Sequence, residues 1–230
     1  MAADGGTDRP ESDPGRVSAT DDPELEVEAN AASRLTFFCD AVVAIAITLL
    51  ALDLPVPGNT ESSRQVVAEM SEHFDVYLAF LISFVVVAYN WRTHHWVFRY
   101  LGRVNGRLFH FSMLWLLMMI STPFATRVLT ADGGFVFRFG LYAGVQAMSA
   151  VAFLLMTWEM DHRHLARPGT PADVISGSYR RSWGLALAFG VSIPVSLVAG
   201  GWAYACWPLA PLVINGLRTL GTRQRPDAGG

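Results

Sequence analysis

The chain has 230 residues, of which 52% are hydrophobic and 16% charged, with a formal net charge of −3 and a mean hydropathy of +0.32. Nine of the twenty acidic residues lie within the first thirty positions, so the remainder is a strongly apolar body. That distribution excludes a basic nucleic-acid-binding surface and points to a membrane protein. All seventeen basic residues are arginine, a bias without functional meaning.

Residues 1–30 are rich in Asp, Glu, Pro and Gly and contain no apolar core segment. They read as a disordered acidic cytoplasmic tail rather than a secretory signal, because such a composition cannot bury enough apolar area to fold. Residues 31–220 form the predicted transmembrane domain, and 221–230 a cytoplasmic C-terminal tail.

A helix needs roughly 20 apolar residues to cross the hydrocarbon core. Six stretches meet that requirement: 35–54, 76–98, 108–129, 135–158, 183–199 and 202–217. The predicted fold class is therefore an all-α integral membrane protein with six transmembrane helices.

The first span lies in the run RLTFFCDAVVAIAITLLALDLPVP, which carries Asp40 within an apolar segment. A lone carboxylate at membrane depth costs several kcal/mol unless paired, neutralised or hydrated, which makes Asp40 a functional-site candidate. The structural alternative is a helix-end Asp at the headgroups or a hydrogen-bond hub. At about 100° per residue, Ala41, Ile45, Thr48, Leu49 and Leu52 fall on one face, while Asp40, Val43, Ile47 and Leu54 drift to another. Such a stripe suits packing against a neighbour as well as lining a pore, and spacing does not separate the two.

Residues 60–75 link the first two spans and place Val66, Val67, Met70 and Phe74 on one side, predicting a short helix over the outer face. The second span ends in YNWRTHHWVF, where Trp91, His94, His95 and Phe98 follow an i, i+3, i+4, i+7 pattern. Adjacent histidines do not form the i, i+4 chelate that zinc hydrolases place on a helix, so no metal site is expected. Hydrogen bonding from the indole and an imidazole to a buried carboxylate such as Asp40 is better motivated, since each needs a partner in a low-dielectric setting.

Gly140 and Gly144 form a small-xxx-small pair in the fourth span. Gly200-Gly201 separates the last two spans, although one long kinked helix competes with that division because Pro194, Pro208 and Pro211 interrupt the region. His162 and His164 fall in a loop and are expected to be solvated. Cys39 and Cys206 both lie in predicted spans and offer no disulfide pattern.

Arginine placement sets the orientation. Arg99, Arg103 and Arg107, then Arg163, Arg167, Arg180 and Arg181, and finally Arg218, Arg223 and Arg225 mark segments that belong in the cytoplasm. On the other side, Arg64 is offset by Glu61, Glu69 and Glu72, and Arg127 and Arg138 flank a turn at 131–134. Both termini are then cytoplasmic. The spacing of Arg99, Arg103 and Arg107 is superficially that of a voltage sensor, but Gly102, Asn105 and Gly106 among them favour a topology signal. No phosphate loop, nucleophile elbow or carboxylate dyad is visible, so the chain is not expected to be an enzyme.

Arg34-x-x-x-Phe38-Cys39-Asp40, followed by the apolar run from Ala41 to Leu50, closely resembles the R-x-x-x-F-S-D signature of the transmembrane protein 175 family of endolysosomal potassium channels and their prokaryotic relatives. Trp91-x-x-His94-His95-x-x-Phe98 is similar to the end of that family's second helix. Cys39 departs from the usual Ser, replacing a hydroxyl by a weaker thiol contact. The resemblance to the short prokaryotic members implies a homotetramer in a plasma membrane, with the first helix of each subunit lining a central pore.

It further implies Ile45, Leu49 and Leu52 as hydrophobic rings acting as filter and gate, with Thr48 as a polar ring. Arg34, Phe38, Cys39, Asp40, Trp91, His94 and His95 would form an inter-helix network, and potassium would permeate without a cofactor. The expected partners are thus the ion, the bilayer and further copies of the chain, with no nucleic acid. The leading expectation is a leak-type potassium-selective channel. A proton-coupled transporter or proton pathway using Asp40 and His94 or His95 is the alternative.

Overall fold

The structure, a computed structural model, describes residues 23–58 and 62–207. They form six α-helices: α1 (Pro23–Leu52), α2 (Ser63–Glu72), α3 (Phe74–Phe98), α4 (Gly106–Thr130), α5 (Phe135–His162) and α6 (Ala172–Ala199), followed by a 3₁₀ turn at Gly200–Ala205. Among the described residues, five helices are long and apolar enough to cross a membrane, all of these except α2.

α1 begins at Pro23, ahead of the boundary expected at residue 30, and its 30 residues extend about 45 Å. Proline suits a first helical position, and the Glu and Ala that follow are good helix formers. The remainder of the expected tail, residues 1–22, lies outside the described residues. α2 is the short linker helix, closed by a capping box in which Ser62 and Gln65 satisfy each other's backbone N–H groups. None of its residues is buried. α4 is capped by Asn105, whose side-chain oxygen accepts from the Leu108 N–H at 2.8 Å.

α6 starts well before position 183, the start expected for the fifth span. Its first turns look polar, but Ser178 and Ser182 are buried with their hydroxyls donated to the carbonyls of Val174 and Ser178. At Gly200 the backbone takes φ +54°, a left-handed value that favours glycine. Trp207 Nε1 then donates to Ser192 Oγ at 3.2 Å. Fifteen residues of continuous helix would hold those positions about 22 Å apart, so the chain reverses here and the single-helix alternative fails. Residues 208–217 of the predicted sixth span and the tail at 221–230 lie outside the described residues.

α4 and α6 pack most extensively on α5, and α1 lies against α3 and α4. One core joins α1, α3, α4 and α5 around Val43, Val87, Trp115, Met119, Phe153 and Met156. A second, at the α2 end, joins α4, α5 and α6 through Phe139, Tyr142 and Phe189, with Trp207 packed against it. Between α3, α4 and α5, Thr126 Oγ1 donates to Ser83 Oγ at 2.8 Å and Ser83 Oγ donates to Tyr142 Oη at 3.2 Å, giving buried hydroxyls partners away from water. At the other end, the loops after α3 and α5 clasp each other: the Gly102 and Arg103 N–H groups donate to Leu165 O, and the Arg167 N–H to Tyr100 O. An added Cβ at Gly140 or Gly144 would meet nothing within 4 Å, so this pair mediates no close approach within the subunit.

Candidate functional site on the first helix

α1 has two faces of opposite character. Leu35, Cys39, Val43, Ala46 and Leu50 are buried against the subunit, at spacings of three and four residues. Ala41, Ile45, Thr48, Leu49 and Leu52 are exposed, with Ile45 at 61%, Leu49 at 39% and Leu52 at 78%. The stripe read from the sequence is thus the side of α1 that its own subunit leaves uncovered. Ile47 is half-buried and packs on the core, consistent with its assignment to a different face. Thr48 Oγ1 donates to Ile45 O at 2.8 Å, which commits the hydroxyl proton to the backbone and leaves only oxygen lone pairs to face outward.

Asp40 ties this helix to α3. Trp91 Nε1 donates to Asp40 Oδ1 at 3.0 Å, and His95 Nδ1 lies 3.6 Å from Asp40 Oδ2. Trp91 and His95 are one turn apart, with ring centroids at 5.5 Å, so α3 presents both to the same carboxylate. His95 is therefore the histidine that faces Asp40, a choice the sequence leaves open.

His94 is fully buried and has a different role. Its ring stacks between Phe98 at 3.9 Å and Trp115 at 4.4 Å, and neither ring nitrogen has a hydrogen-bond partner among the described residues. The expected single network is thus divided. Asp40, Trp91 and His95 form its polar part, while His94 belongs to an aromatic stack and Cys39 to the apolar core. Arg34 and Phe38 are exposed, and among the described residues no hydrogen bond or ion pair joins either to Asp40. The reason is angular: His94 and His95 project about 100° apart, so one faces the bundle interior and the other faces α1.

Glu159 escaped the sequence reading. It is fully buried near the end of α5, receives the Asn105 Nδ2 hydrogen bond at 2.7 Å, and lies 3.7 Å from Arg163 Nε. Its other carboxylate oxygen has no hydrogen-bond partner among the described residues. The same Asn105 caps α4, so this carboxylate fixes the start of one helix to the end of another. No group of three or more His, Cys, Asp or Glu side chains arranged to hold a metal occurs among the described residues.

The profile of the family described as endosomal/lysosomal potassium channel TMEM175 matches residues 34–123, from within α1 through most of α4. A potassium channel of Streptomyces collinus is 31% identical over 184 residues, covering 75% of this chain and 89% of that relative. Among solved structures, a lysosomal potassium-selective channel TMEM175 homolog from Chamaesiphon minutus superimposes with a TM-score of 0.66 at 24% identity, over 82% of this chain and 98% of that one. The potassium channel MtTMEM175, crystallised as a variant with a nanobody–MBP fusion, gives a TM-score of 0.58 at 17% identity, over 83% of this chain and 94% of that one. With the Asp40 motif at the start of the matched region and the relative covered nearly end to end, the chain belongs to the TMEM175 family.

Proposed function

We propose that the protein is a leak-type potassium-selective channel of the plasma membrane, a homotetramer in which four copies of α1 surround a central pore and both termini are cytoplasmic. The observation that carries this reading is that α1, where the matched family region begins, turns Ile45, Thr48, Leu49 and Leu52 away from its own subunit, the side from which other copies of α1 would be met around an axis. A single helix cannot enclose a pore, whereas identical helices around an axis can. The naming of the relatives as potassium channels supports the choice of ion.

In this reading the three apolar residues form successive rings that act as filter and gate. An apolar constriction disfavours ions that hold their water tightly, so sodium is penalised more than potassium, and the same rings close by dewetting. Thr48 contributes a ring of hydroxyl oxygens between Ile45 and Leu49. Asp40, Trp91 and His95 hold α1 against α3 and so keep the rings in register. Flux measurements on purified protein in liposomes, under imposed potassium or sodium gradients, test the proposal. Potassium flux should exceed sodium flux without saturation, whereas saturable flux tied to a proton gradient would favour a transporter. Native mass spectrometry should give a tetramer, and a stable monomer or dimer would defeat the pore arrangement.

A further inference from the structure

At the α2 end of the bundle, a cavity of about 270 Å³ opens between the end of α1, the start of α3 and the end of α4. Its lining combines Asp53, His73 and Arg127 with apolar Leu54, Phe80 and Pro123. Arg127 Nε lies 3.4 Å from Asp53 Oδ1, longer than the ~2.7–2.9 Å of a charge-assisted hydrogen bond. The Arg127 side chain is 66% exposed, and no hydrogen bond from its guanidinium to another described residue accompanies that ion pair. Arg138, at the other flank of the same turn, donates from Nη1 to the carbonyls of Leu129 and Ala131, which close α4, while its buried Nε has no hydrogen-bond partner among the described residues. Of the two arginines that flank this turn, Arg138 is thus directed at the end of α4, whereas Arg127 presents an exposed guanidinium.

Arg127 also sits at the head of an apolar strip. Phe124, Ile120 and Leu117 precede it at spacings of four and three residues, and all are exposed, so they share one face of α4 with it over about 15 Å. A cation at a helix end, above an apolar strip and beside a small amphipathic cavity, is complementary to an amphiphile with an anionic head. The volume falls below the ~300–1,000 Å³ of clefts that enclose a whole drug-sized ligand, which suits a headgroup whose chains remain outside.

We infer that this cavity binds the phosphate of an anionic phospholipid, with Arg127 as the cation that receives it and Leu117, Ile120 and Phe124 as the track for an acyl chain. Guanidinium is the side chain best matched to phosphate, because its parallel N–H groups meet two oxygens at once. His73 lines the same cavity and supplies a further donor. Asp53 competes with the phosphate for Arg127, and the two cannot both hold the guanidinium in its best geometry. Since Asp53 directly follows α1, an occupied cavity changes what restrains that end of the helix. That last consequence rests on the channel reading, whereas binding itself does not.

The test uses the full-length protein, purified and delipidated in detergent, then titrated with phosphatidylglycerol or phosphatidylcholine while bound lipid is counted by native mass spectrometry. Phosphatidylglycerol should be retained in preference to phosphatidylcholine. Arg127→Gln should weaken phosphatidylglycerol about tenfold and abolish the preference. Arg64→Gln, which removes the same charge from an exposed position on α2, should leave it intact. Asp53→Asn should strengthen binding, because it relieves the competition. Unchanged retention by Arg127→Gln, or equal retention of both lipids by the wild type, would overturn the assignment. Displacement of the lipid by an equal concentration of glycerol 3-phosphate would overturn the lipid part of it, leaving a site for soluble phosphate. If Arg127→Gln fails to fold, Asp53→Asn decides alone, and unchanged or weaker binding refutes the proposal. The readout is bound mass, so failure here leaves the potassium reading standing, and absence of potassium flux leaves this one standing.

Discussion

Trp91→Phe keeps a six-membered aromatic ring at this position and removes, with the fused pyrrole, the indole N–H that donates to Asp40 at 3.0 Å. A hydrogen bond to a charged acceptor contributes about 1.5–3 kcal/mol. Trp91 is 40% exposed and the Asp40 side chain 26%, so water recovers part of that, and about 1 kcal/mol is the expected coupling. That corresponds to roughly a fivefold change in an equilibrium. The His95 contact is longer, at 3.6 Å, and its side chain is 56% exposed, a geometry for which ~0–0.5 kcal/mol is expected. Double-mutant cycles of Trp91→Phe and His95→Gln against Asp40→Ala separate the two terms. Unfolding of the detergent-purified protein is the readout, with Asp161→Ala as an exposed control that should change little. A Trp91–Asp40 coupling near zero, or a His95 coupling as large as that of Trp91, would refute this account of how α1 is held to α3.

Ile45→Asn should wet the proposed apolar ring, raise conductance and bring sodium permeability toward that of potassium, read as a shift in reversal potential in planar bilayers. Ile47→Asn should instead reduce folded yield without an unselective pore, because Ile47 packs on the core. If Ile45→Asn keeps wild-type selectivity while a change at Thr48 abolishes it, the polar ring is the filter. Glu159→Ala leaves the Asn105 amide unpartnered and should cost about 1–3 kcal/mol in thermal unfolding, whereas Glu159→Gln retains an acceptor at 2.7 Å reach and should cost less than half as much.

The extent to which these features could be read in advance follows from their physical origin. Hydropathy located α1, α3, α4 and α5 because bilayer-length apolar runs have few alternatives, and the Gly200 reversal was signalled by Gly-Gly. The beginning of α6 was not legible, since its buried serines satisfy their hydroxyls on their own helix and look polar in a linear scan. The exposed stripe of α1 was grouped by angle, while its environment depended on neighbours that spacing does not encode. The same limit divided the histidines, whose roles depend on Trp115 and Asp40, both distant in sequence. Glu159 looked like an ordinary charge at a helix end, and only the Asn105 cap brought against it shows that it is buried.

From Glu24 to Leu52, α1 contains neither glycine nor proline, the residues at which helices bend most readily. One face of it, Leu35, Cys39, Val43, Ala46 and Leu50, is buried along the subunit, and Asp40 ties it to Trp91 and His95 near the middle. An unhinged rod packed along one face resists flexure, so a twist or tilt imposed at one end is carried along its whole length. Ile45, Leu49 and Leu52 would then move as one rigid comb, and a displacement at the start of α1 would reach Leu52 without being absorbed between them.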